Sequence, residues 1–566
     1  MNSRFEHAFH TNYAPSQEEL REIEDLVSAP EEKIQLLNEK ISQLQAERDG
    51  LQSFIDNHRA LLSPARRLPR DILAEIFLHC LPTDRLPSCD GRKAPLVLTT
   101  ICRFWREIAV TTPRLWRAIH FIIPILTGYI IHDDFRKQTR LHNEGLQLWL
   151  ERAKSVPLTI SCYMPSSSDK PMEIREGLQN TYSESLEILL RYSVQWKTLC
   201  LSFIPRQLLL LFLKLKPSDI PLLRTLYLER NTFDFWRPWM STTEGHPLSD
   251  IARVASLRAL YLQSEYVDIA AFPARWGELT ELSITLPLHL SYDVSPAEFV
   301  QKLSQTCHSL RKCALNLAIT PPENLVSIQS PRQTWKYLSD FSIHFEINDM
   351  PEEHSQAFQI LERVFDPIAT PALSHFTFRT SIMPLEIERA PFLTLFEVSN
   401  CHIISLELET QLSEKALVET LRCIPSLAVF HLVDIFQSSS YVIEGVVIHP
   451  PPYPALTSNL FRALAEDVLC PLLEEVNLEH CTADCMDDIV AFVRARSTIK
   501  SLNVTFKAST AFMVQYTLSD EERHKGELLR QRGIDVVWRS VSESTFDFTY
   551  NAVFDAGMPQ LISFMY

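Results

Sequence analysis

Glycine is scarce in this sequence, with only 11 among 566 residues, and no two glycines lie within six positions of each other. A phosphate-binding P-loop needs glycines five positions apart, a nucleophile elbow needs them four apart, and a dinucleotide-binding loop needs them two and then three apart. The sequence therefore excludes these three kinds of catalytic or cofactor-binding loop. No two of the 18 histidines are four positions apart, which excludes a helical His-Glu-x-x-His zinc site.

Long apolar runs are also missing. The run that begins at Phe121 is broken by Pro124 and Gly128, and the run that begins at Leu208 stops at Lys214. Neither reaches the ~18 residues that a membrane span needs. The first residues contain no apolar segment of signal-peptide length, so secretion is not expected. Twelve scattered cysteines are then expected to be reduced thiols in the cytoplasm, the nucleus or both.

One group of soft ligands, formed by His480, Cys481 and Cys485, lies within six residues of sequence. A structural zinc site needs four protein ligands, and a catalytic one needs three and an open position. Because Cys481 also fits a repeat pattern described below, we expect no metal site here. We likewise expect no catalytic residues and no cofactor.

The charge of the chain is acidic and unevenly distributed. The net charge of −16 disfavours nucleic acid as a partner, because binding to phosphate depends on lysine and arginine. Residues 66–117 nevertheless contain ten basic and five acidic side chains, whereas residues 17–62 contain five basic and eleven acidic ones. At this length we expect two or more domains or an extended repeat array.

Residues 17–62 predict a long helix with a coiled-coil pattern. Seven of nine heptad a and d positions are apolar, and the frame extends back to Leu20, with Pro30 falling on a d position. We therefore expect the helix to restart after Pro30, with Glu31 and Glu32 in its first turn. Two interpretations remain open: residues 31–62 join two chains as a homodimer, or the helix packs on the segment that follows it. The nine a and d positions are Ile34, Leu37, Ile41, Leu44, Arg48, Leu51, Ile55, His58 and Leu62.

Residues 66–120 contain the most specific pattern in the chain. Two apolar stripes with helical spacing predict two or three short helices, the first after Pro69 and the second ending before Pro113. The stripes consist of Ile72, Leu73, Ile76, Phe77 and Cys80, and of Leu98, Ile101, Cys102, Trp105, Ile108 and Ala109.

This stretch resembles an F-box, and the resemblance covers about one tenth of the chain. It is carried by Leu68-Pro69, Ile72-Leu73, Ile76-Phe77, Ile101-Cys102-Arg103, Trp105 and Leu115-Trp116. The resemblance implies binding to the Skp-type adaptor of cullin-RING ubiquitin ligases, and the basic charge would suit an acidic adaptor surface. The adaptor-binding residues that it implies are Leu68, Pro69, Ile72, Leu73, Ile76, Phe77, Ile101, Cys102, Trp105 and Trp116.

The sequence departs from the F-box pattern at one segment, and residues 66–120 have one competing interpretation. The segment from Pro82 to Pro95 is longer and richer in proline than the usual link between the first two F-box helices. This insertion leaves open whether the adaptor can dock. The competing interpretation is a plain helical hairpin that caps the following domain.

From Trp149 onward an apolar-x-x-apolar-x-apolar motif recurs at spacings of about 20 to 46 residues. It resembles the irregular leucine-rich repeats that often follow an F-box, as in fungal F-box proteins. The third position after the motif is Asn or Cys at Asn231, Cys401 and Cys481. The clearest motifs begin at Leu223, Leu257, Leu279, Leu338, Leu373, Leu393, Leu427, Leu473 and Ile499, and weaker ones begin at Trp196 and Leu310.

Period-two alternation in each motif sends the apolar residues into a core and the residues between them to the open face of a parallel sheet. We expect helices on the back of the sheet at residues 143–153, 184–194 and 519–532, with Ser519 as an N-cap and Gly533 after the last helix. The open face would bind a target protein, and a second interpretation of Tyr227 and Tyr261, that they stack on each other, stays equally open. The predicted target-binding residues are Tyr227, Glu229, Tyr261, Gln263, Glu281, His344, His375, Arg379 and Glu475.

The predicted fold class is α plus α/β: a long N-terminal helix, a small all-α F-box, and an irregular leucine-rich-repeat α/β solenoid with a parallel sheet. The predicted ranges are a flexible N-terminus at 1–16, the helix at 17–63, the F-box at 64–120, the solenoid at 121–540 and a tail at 541–566. The implied function is a non-enzymatic substrate receptor of a cullin-RING ligase. The alternatives are a repeat scaffold outside any ligase and, third, an enzyme whose site has no recognised motif.

Overall fold

The chain divides into two compact units, Met1–Ile76 and Phe77–Tyr566. The division falls within the helix Arg70–His79, inside the stretch that resembles an F-box. The computed structural model describes residues 3–62, 64–124, 126, 133–164, 172–204, 206–229, 249–263, 269, 274–286, 296–319, 332–347, 360–361, 363–380, 389–410, 412–433, 441–443, 446–448, 456–466, 469–507 and 518–540.

The first unit is dominated by helix α1, Gln17–Leu61. The helix begins at an N-cap in which the Ser16 side chain accepts a hydrogen bond from the backbone of Glu19, while the Glu19 carboxylate accepts one from the backbone of Ser16. This reciprocal pair satisfies two N–H groups that the first turn would otherwise leave unpaired. Among the described residues, Phe5 is the buried apolar side chain of the segment that precedes α1.

The predicted break at Pro30 is wrong, because α1 continues through this residue. Proline removes one backbone donor and crowds the preceding turn, but the loss is local. Near the proline, the Ser28 hydroxyl donates to the Asp25 carbonyl at 3.1 Å. The turns on both sides keep their own hydrogen bonds, so a 45-residue helix tolerates the defect.

Helix α2, Arg70–His79, follows a short 3-10 turn at Pro64–Arg67. The second unit then continues with helix α3, Arg103–Thr111, which is followed by a 3-10 turn at Pro113–Leu115. The two short helices predicted for this region are confirmed.

The second unit is built on one parallel sheet of 14 strands, whose order in space is their order along the chain. Parallel neighbours need a crossover between them, and most crossovers here contain a helix or a 3-10 turn. The strands are β1 Ala118–Ile122, β2 Leu158–Tyr163, β3 Trp196–Ser202, β4 Thr225–Glu229, β5 Ala259–Gln263, β6 Glu281–Leu286, β7 Lys312–Ile319, β8 Asp340–Ile347, β9 His375–Thr380, β10 Ser405–Glu409, β11 Val429–Val433, β12 Glu475–Thr482, β13 Ser501–Lys507 and β14 Asp535–Ser540.

The helices of the crossovers differ widely in length. They are α4 Asp133–Ala153, α5 Met172–Leu190, α6 Arg206–Leu209, α7 Ser249–Ala252, α8 Pro296–Thr306, α9 Leu393–Ser399, α10 Glu414–Cys423, α11 Ser458–Ala465, α12 Met486–Ala495 and α13 Asp520–Arg530. Two small sheets accompany the main one, a parallel pair at Gln333–Thr334 and Ile368–Ala369 and an antiparallel pair at Tyr441–Ile443 and Val446–Ile448. Within the described residues, no helix combines the length and apolar character that crossing a membrane requires.

The core lies on one face of the sheet, where the apolar residues of successive motifs are aligned. Leu226 pairs with Leu260, and Leu260 pairs with Leu282, and all three are buried. In the later strands of the sheet, phenylalanines occupy the core positions that leucines occupy in the earlier strands. Phe341 on β8 packs on Phe376 on β9, with ring centroids 5.9 Å apart. The parallel sheet and the predicted strand register are therefore confirmed for this part of the chain.

One predicted strand is wrong. The motif that begins at Leu393 lies in α9, and the strand of this repeat is β10, whose buried anchors Leu406 and Leu408 are preceded by buried Ile403. Ile403, Leu406 and Leu408 have the same spacing as the other motifs and begin ten residues after Leu393, so apolar spacing alone does not distinguish the strand from the helix. Cys401 therefore follows a helix and is not the residue that closes a strand motif.

The other predicted elements agree with the structure, with shifted ends. The helices expected at 143–153 and 184–194 form parts of α4 and α5, and α13 begins after a Ser519 N-cap. Gly533 has a φ of 86°, a left-handed conformation that favours glycine after a helix. Asn231 and the tail from residue 541 lie outside the described residues.

Candidate functional site

Helix α2 has two different apolar faces. Leu73 and Phe77 are buried, whereas Ile72 and Ile76 are 46% and 41% exposed. Each pair is four residues apart, so the members of a pair share one side of the helix. Leu73 and Phe77 were predicted to bind the adaptor, but they are core residues in this structure and are corrected here. Of the two residues before the helix, Leu68 is half-buried and Pro69 is exposed.

In the second unit, the start of α3 presents apolar side chains beside a fixed tryptophan. Ile101 is exposed, and Cys102 caps the helix by accepting the backbone N–H of Trp105 on its sulfur at 3.5 Å. The Trp105 ring is half-buried and lies 4.9 Å from the Phe77 ring, measured between centroids. Phe104 is also exposed, and the resemblance did not single it out.

Trp116 is a buried core residue, which corrects its predicted place among the adaptor contacts. Its indole N–H donates to the Ala109 carbonyl at 2.8 Å. Trp149 packs edge-on against it with centroids 4.9 Å apart, and Arg152 lies over its ring. These contacts leave Trp116 no accessible surface for a partner.

The insertion from Pro82 to Pro95 is attached to the first strand of the sheet. The His120 N–H donates to the Pro87 carbonyl at 2.7 Å, and Ser88 forms a parallel bridge with His120. Cys89 lies in this segment, and burial raises the pKa of its thiol to about 11. The insertion is thus held by the edge of the second unit.

The face of the sheet opposite the leucines is largely polar, as the alternation predicts, but its first half is more deeply buried than expected. Tyr227 was predicted to be exposed and is only 2% exposed, so this prediction is wrong. Its ring stacks on Tyr261, the alternative that the sequence left open, with centroids 5.6 Å apart. The Tyr261 hydroxyl is half-buried and donates to Glu281 Oε2 at 3.0 Å. Neighbouring rings and strands account for this burial, because parallel strands are only about 4.8 Å apart.

Glu229 is also buried, at 9% exposure, although it was predicted to be accessible. Burial raises the pKa of its carboxyl to about 7, against an opposing hydrogen bond from Ser202. Gln263 is the register partner of Glu229 on β5 and is half-buried. Neither Glu229 Oε2 nor Gln263 Oε1 is reached by a donor from the described residues.

The second half of this face contains a network of ion pairs centred on Arg379. Its guanidinium contacts Glu407 Oε1 at 2.5 Å and Glu409 Oε2 at 3.4 Å. His431 donates to Glu479 Oε1 at 3.3 Å, and this hydrogen bond lowers the pKa of the Glu479 carboxyl. Sequence reasoning placed Arg379 and Glu479 on the open face but missed Glu407, Glu409 and His431.

The remaining predicted residues are spread over the same face and do not converge on one point. Burial lowers the pKa of His344 to about 4, with a further contribution from Arg379, so this imidazole is neutral at physiological pH. His375 and Glu475 are exposed at the first positions of β9 and β12, and β10 and β11 lie between these two strands. The arrangement is an extended polar surface.

The arrangement offers binding chemistry. Cys481 lies in β12, and Cys485 lies in the 3-10 turn that follows this strand. Cys481 and Cys485 are buried, and the Cys485 thiol donates to the Leu456 carbonyl at 3.4 Å. No group of three metal-binding side chains occurs among the described residues. In comparisons with known proteins, neither a family model nor a curated protein matches this chain.

Proposed function

We propose that this protein is the substrate-recognition subunit of a cullin-RING ubiquitin ligase. Residues 64–120 act as an F-box that binds a Skp-type adaptor, and the repeats from residue 121 form a leucine-rich solenoid that binds a target protein. The protein makes no bond itself. Holding the target beside a ubiquitin-conjugating enzyme raises the effective concentration of the target's lysines.

The observation that carries the proposal is the exposure of Ile72 and Ile76 on a short helix in which Leu73 and Phe77 are buried and Leu78 is half-buried. A helix of this size gains stability by burying its apolar face, so exposed isoleucines at two successive turns suit a partner. Both residues belong to the set that the F-box resemblance singled out. In the second unit, Ile101 and Phe104 are exposed apolar side chains at the start of α3.

The second candidate function is a repeat scaffold that works outside any ligase. It is favoured by the insertion from Pro82 to Pro95, which departs from the F-box pattern and is fixed on β1. Only the ligase subunit should retain an adaptor and, through it, a cullin.

The test is a pull-down with the full-length chain and a purified Skp-type adaptor, followed by an affinity measurement. Ile72→Ala with Ile76→Ala should weaken adaptor binding by about 30-fold, which corresponds to about 2 kcal/mol for a central contact. The matched control is Leu141→Ala with Leu148→Ala, two exposed leucines on α4. Adaptor binding that survives the first double variant would exclude these contacts, and absence of adaptor and cullin from the pull-down would favour the scaffold.

A further inference from the structure

One row of side chains crosses seven neighbouring strands on the polar face of the sheet, and we call it the acceptor row. Each member is the register partner of the next, so the row runs perpendicular to the strands. Its members, from β4 to β10, are Glu229, Gln263, Thr285, Asn316, His344, Arg379 and Glu409.

Three oxygens of the acceptor row lack a hydrogen-bond donor from the described part of the chain: Glu229 Oε2, Gln263 Oε1 and Asn316 Oδ1. Glu229 and Asn316 are 9% and 5% exposed, so water does not freely replace the missing donors. A buried acceptor without a donor destabilises the folded protein. Gln263 Oε1 and Asn316 Oδ1 therefore call for a donor from outside, and Glu229 Oε2 calls for one when its carboxyl, whose pKa burial raises to about 7, is ionised.

The orientation of Asn316 supports this interpretation. Its Nδ2 donates to Glu346 Oε1 at 2.9 Å. The opposite amide orientation would place Asn316 Oδ1 against a carboxylate, which also only accepts hydrogen bonds when it is ionised. The unpaired atom of Asn316 is thus the oxygen.

The far end of the acceptor row contains three carboxylates, and it also contains Arg379 Nε, a buried donor without a hydrogen-bond acceptor among the described residues. Glu407 and Glu409 share Arg379, and Glu479 adds a third carboxylate beside His431. The charges of His480 and of Arg539 on β14 also lower the pKa of the Glu479 carboxyl. The side chains of Glu409 and Glu479 are 39% and 46% exposed, so a cationic group can reach both.

The length of the row argues for a chain-like ligand. Six strand intervals of about 4.8 Å give a row of about 29 Å, which an extended peptide covers with about nine residues. A single small cation reaches only one part of it. The acidic chain as a whole also repels nucleic acid.

We propose that the acceptor row binds an extended, lysine- and arginine-rich segment of the target protein. This inference rests on the proposed function, because it takes the polar face of the sheet to be the target-binding surface. Ammonium and guanidinium groups are donors without acceptor atoms, so they complement both the unpaired oxygens and the carboxylates.

The test uses the full-length chain and a fluorescein-labelled peptide of about ten residues that alternates arginine or lysine with serine. Fluorescence anisotropy at about 0.15 M salt screens long-range attraction to the acidic chain. The basic peptide should bind, and a peptide of the same length with glutamate in place of the basic residues should not. Glu409→Gln with Glu479→Gln should weaken binding by about tenfold.

The matched control is Glu144→Gln with Glu187→Gln, two exposed carboxylates on α4 and α5. It changes the net charge equally and should leave the affinity within about twofold. An equal loss in both double variants would overturn the inference, because it would reduce the binding to general charge attraction. Gln263→Met removes one unpaired oxygen, so it should weaken peptide binding without lowering the melting temperature.

Adaptor binding measured on the same preparations separates the two proposals. A chain that binds the adaptor but not the basic peptide overturns the acceptor-row inference and leaves the ligase proposal standing. A chain that binds the peptide specifically but not the adaptor supports the inference and overturns the ligase proposal.

Discussion

The rings of Tyr227 and Tyr261 stack across two neighbouring parallel strands, with centroids 5.6 Å apart and planes inclined by 27°. The two residues are register partners on the face opposite the leucines. Tyr227 is buried, while the hydroxyl of half-buried Tyr261 is fixed by Glu281. The pair therefore contributes to the packing of the sheet, and solvent reaches only its Tyr261 side.

We expect Tyr227→Ala to lower the free energy of unfolding by about 3 to 5 kcal/mol, the cost of truncating a large buried aromatic side chain. Tyr261→Ala should lower the free energy of unfolding by less, because this side chain is already partly exposed to water in the folded protein. The double variant should reveal a coupling of about 0.5 to 1.5 kcal/mol between the rings in urea denaturation. Unchanged stability in Tyr227→Ala would show that the ring is exposed in solution and available to a partner.

Two adjacent residues of α2 should respond differently to truncation. Phe77 is buried with its ring against Trp105, so Phe77→Ala should destabilise the protein by about 3 to 5 kcal/mol. Ile76 is exposed, and Ile76→Ala should change stability by no more than about 0.5 kcal/mol. Thermal unfolding of the two variants in parallel is the measurement. Equal melting temperatures would mean that the helix face is assigned incorrectly.

The apolar pattern was sufficient to predict the parallel sheet, because the three apolar residues keep the same spacing within each motif and are buried. It failed between residues 393 and 408, where two successive stretches have the same apolar spacing and only packing decides which is the strand. It also missed β1, β2 and β14 as repeat strands. The continuity of α1 through Pro30 was missed because a local rule gave proline more weight than the long flanking helix.

The candidate sites were harder to predict, because exposure depends on neighbours that sequence spacing does not identify. Alternation placed Tyr227 on the correct face but could not show that Tyr261 and nearby strands bury it. Glu407 and Glu409 were missed together with their strand. The pairing of Arg379 with both carboxylates follows from the register of β9 and β10, which only the assembled sheet reveals.

We propose that α1 joins two copies of the chain. The a and d residues of its heptads, such as Ile34, Leu37 and Leu44, are exposed along the helix. An exposed apolar seam of this length is the feature that a coiled coil buries. Leu37→Asp with Leu44→Asp should convert a dimer to a monomer in light scattering.

The control for the dimer prediction introduces the same charges on the outer side of the helix, with Ala46→Asp and Ser53→Asp at f positions. This variant should remain a dimer. A monomer for the unmodified chain at micromolar concentration would exclude the homodimer and leave the seam for another partner.

The buried carboxyl of Glu229 should make stability depend on pH. Burial raises its pKa to about 7 from the ordinary 4.5, against a hydrogen bond from Ser202. The groups that surround it, Cys200 on β3 with Tyr227 and Tyr261, are neutral near physiological pH because burial also raises their pKa values. Glu229 is therefore the group of this cluster that changes its charge between pH 5 and pH 8.

Between pH 4.5 and 7 the folded chain keeps a proton on Glu229 that the unfolded chain has released, so the stabilisation that this group gives at low pH is lost as the pH rises. The loss should be on the order of 3 kcal/mol by pH 8. Glu229→Gln keeps the shape but cannot ionise, so its melting temperature should exceed that of the unmodified chain at pH 8 and approach it at pH 5. Glu187→Gln, which changes an exposed carboxylate on α5, should follow the unmodified chain at both pH values. Parallel pH profiles for Glu229→Gln and the unmodified chain would mean that the folded protein holds Glu229 ionised, with a donor for its carboxylate already in place.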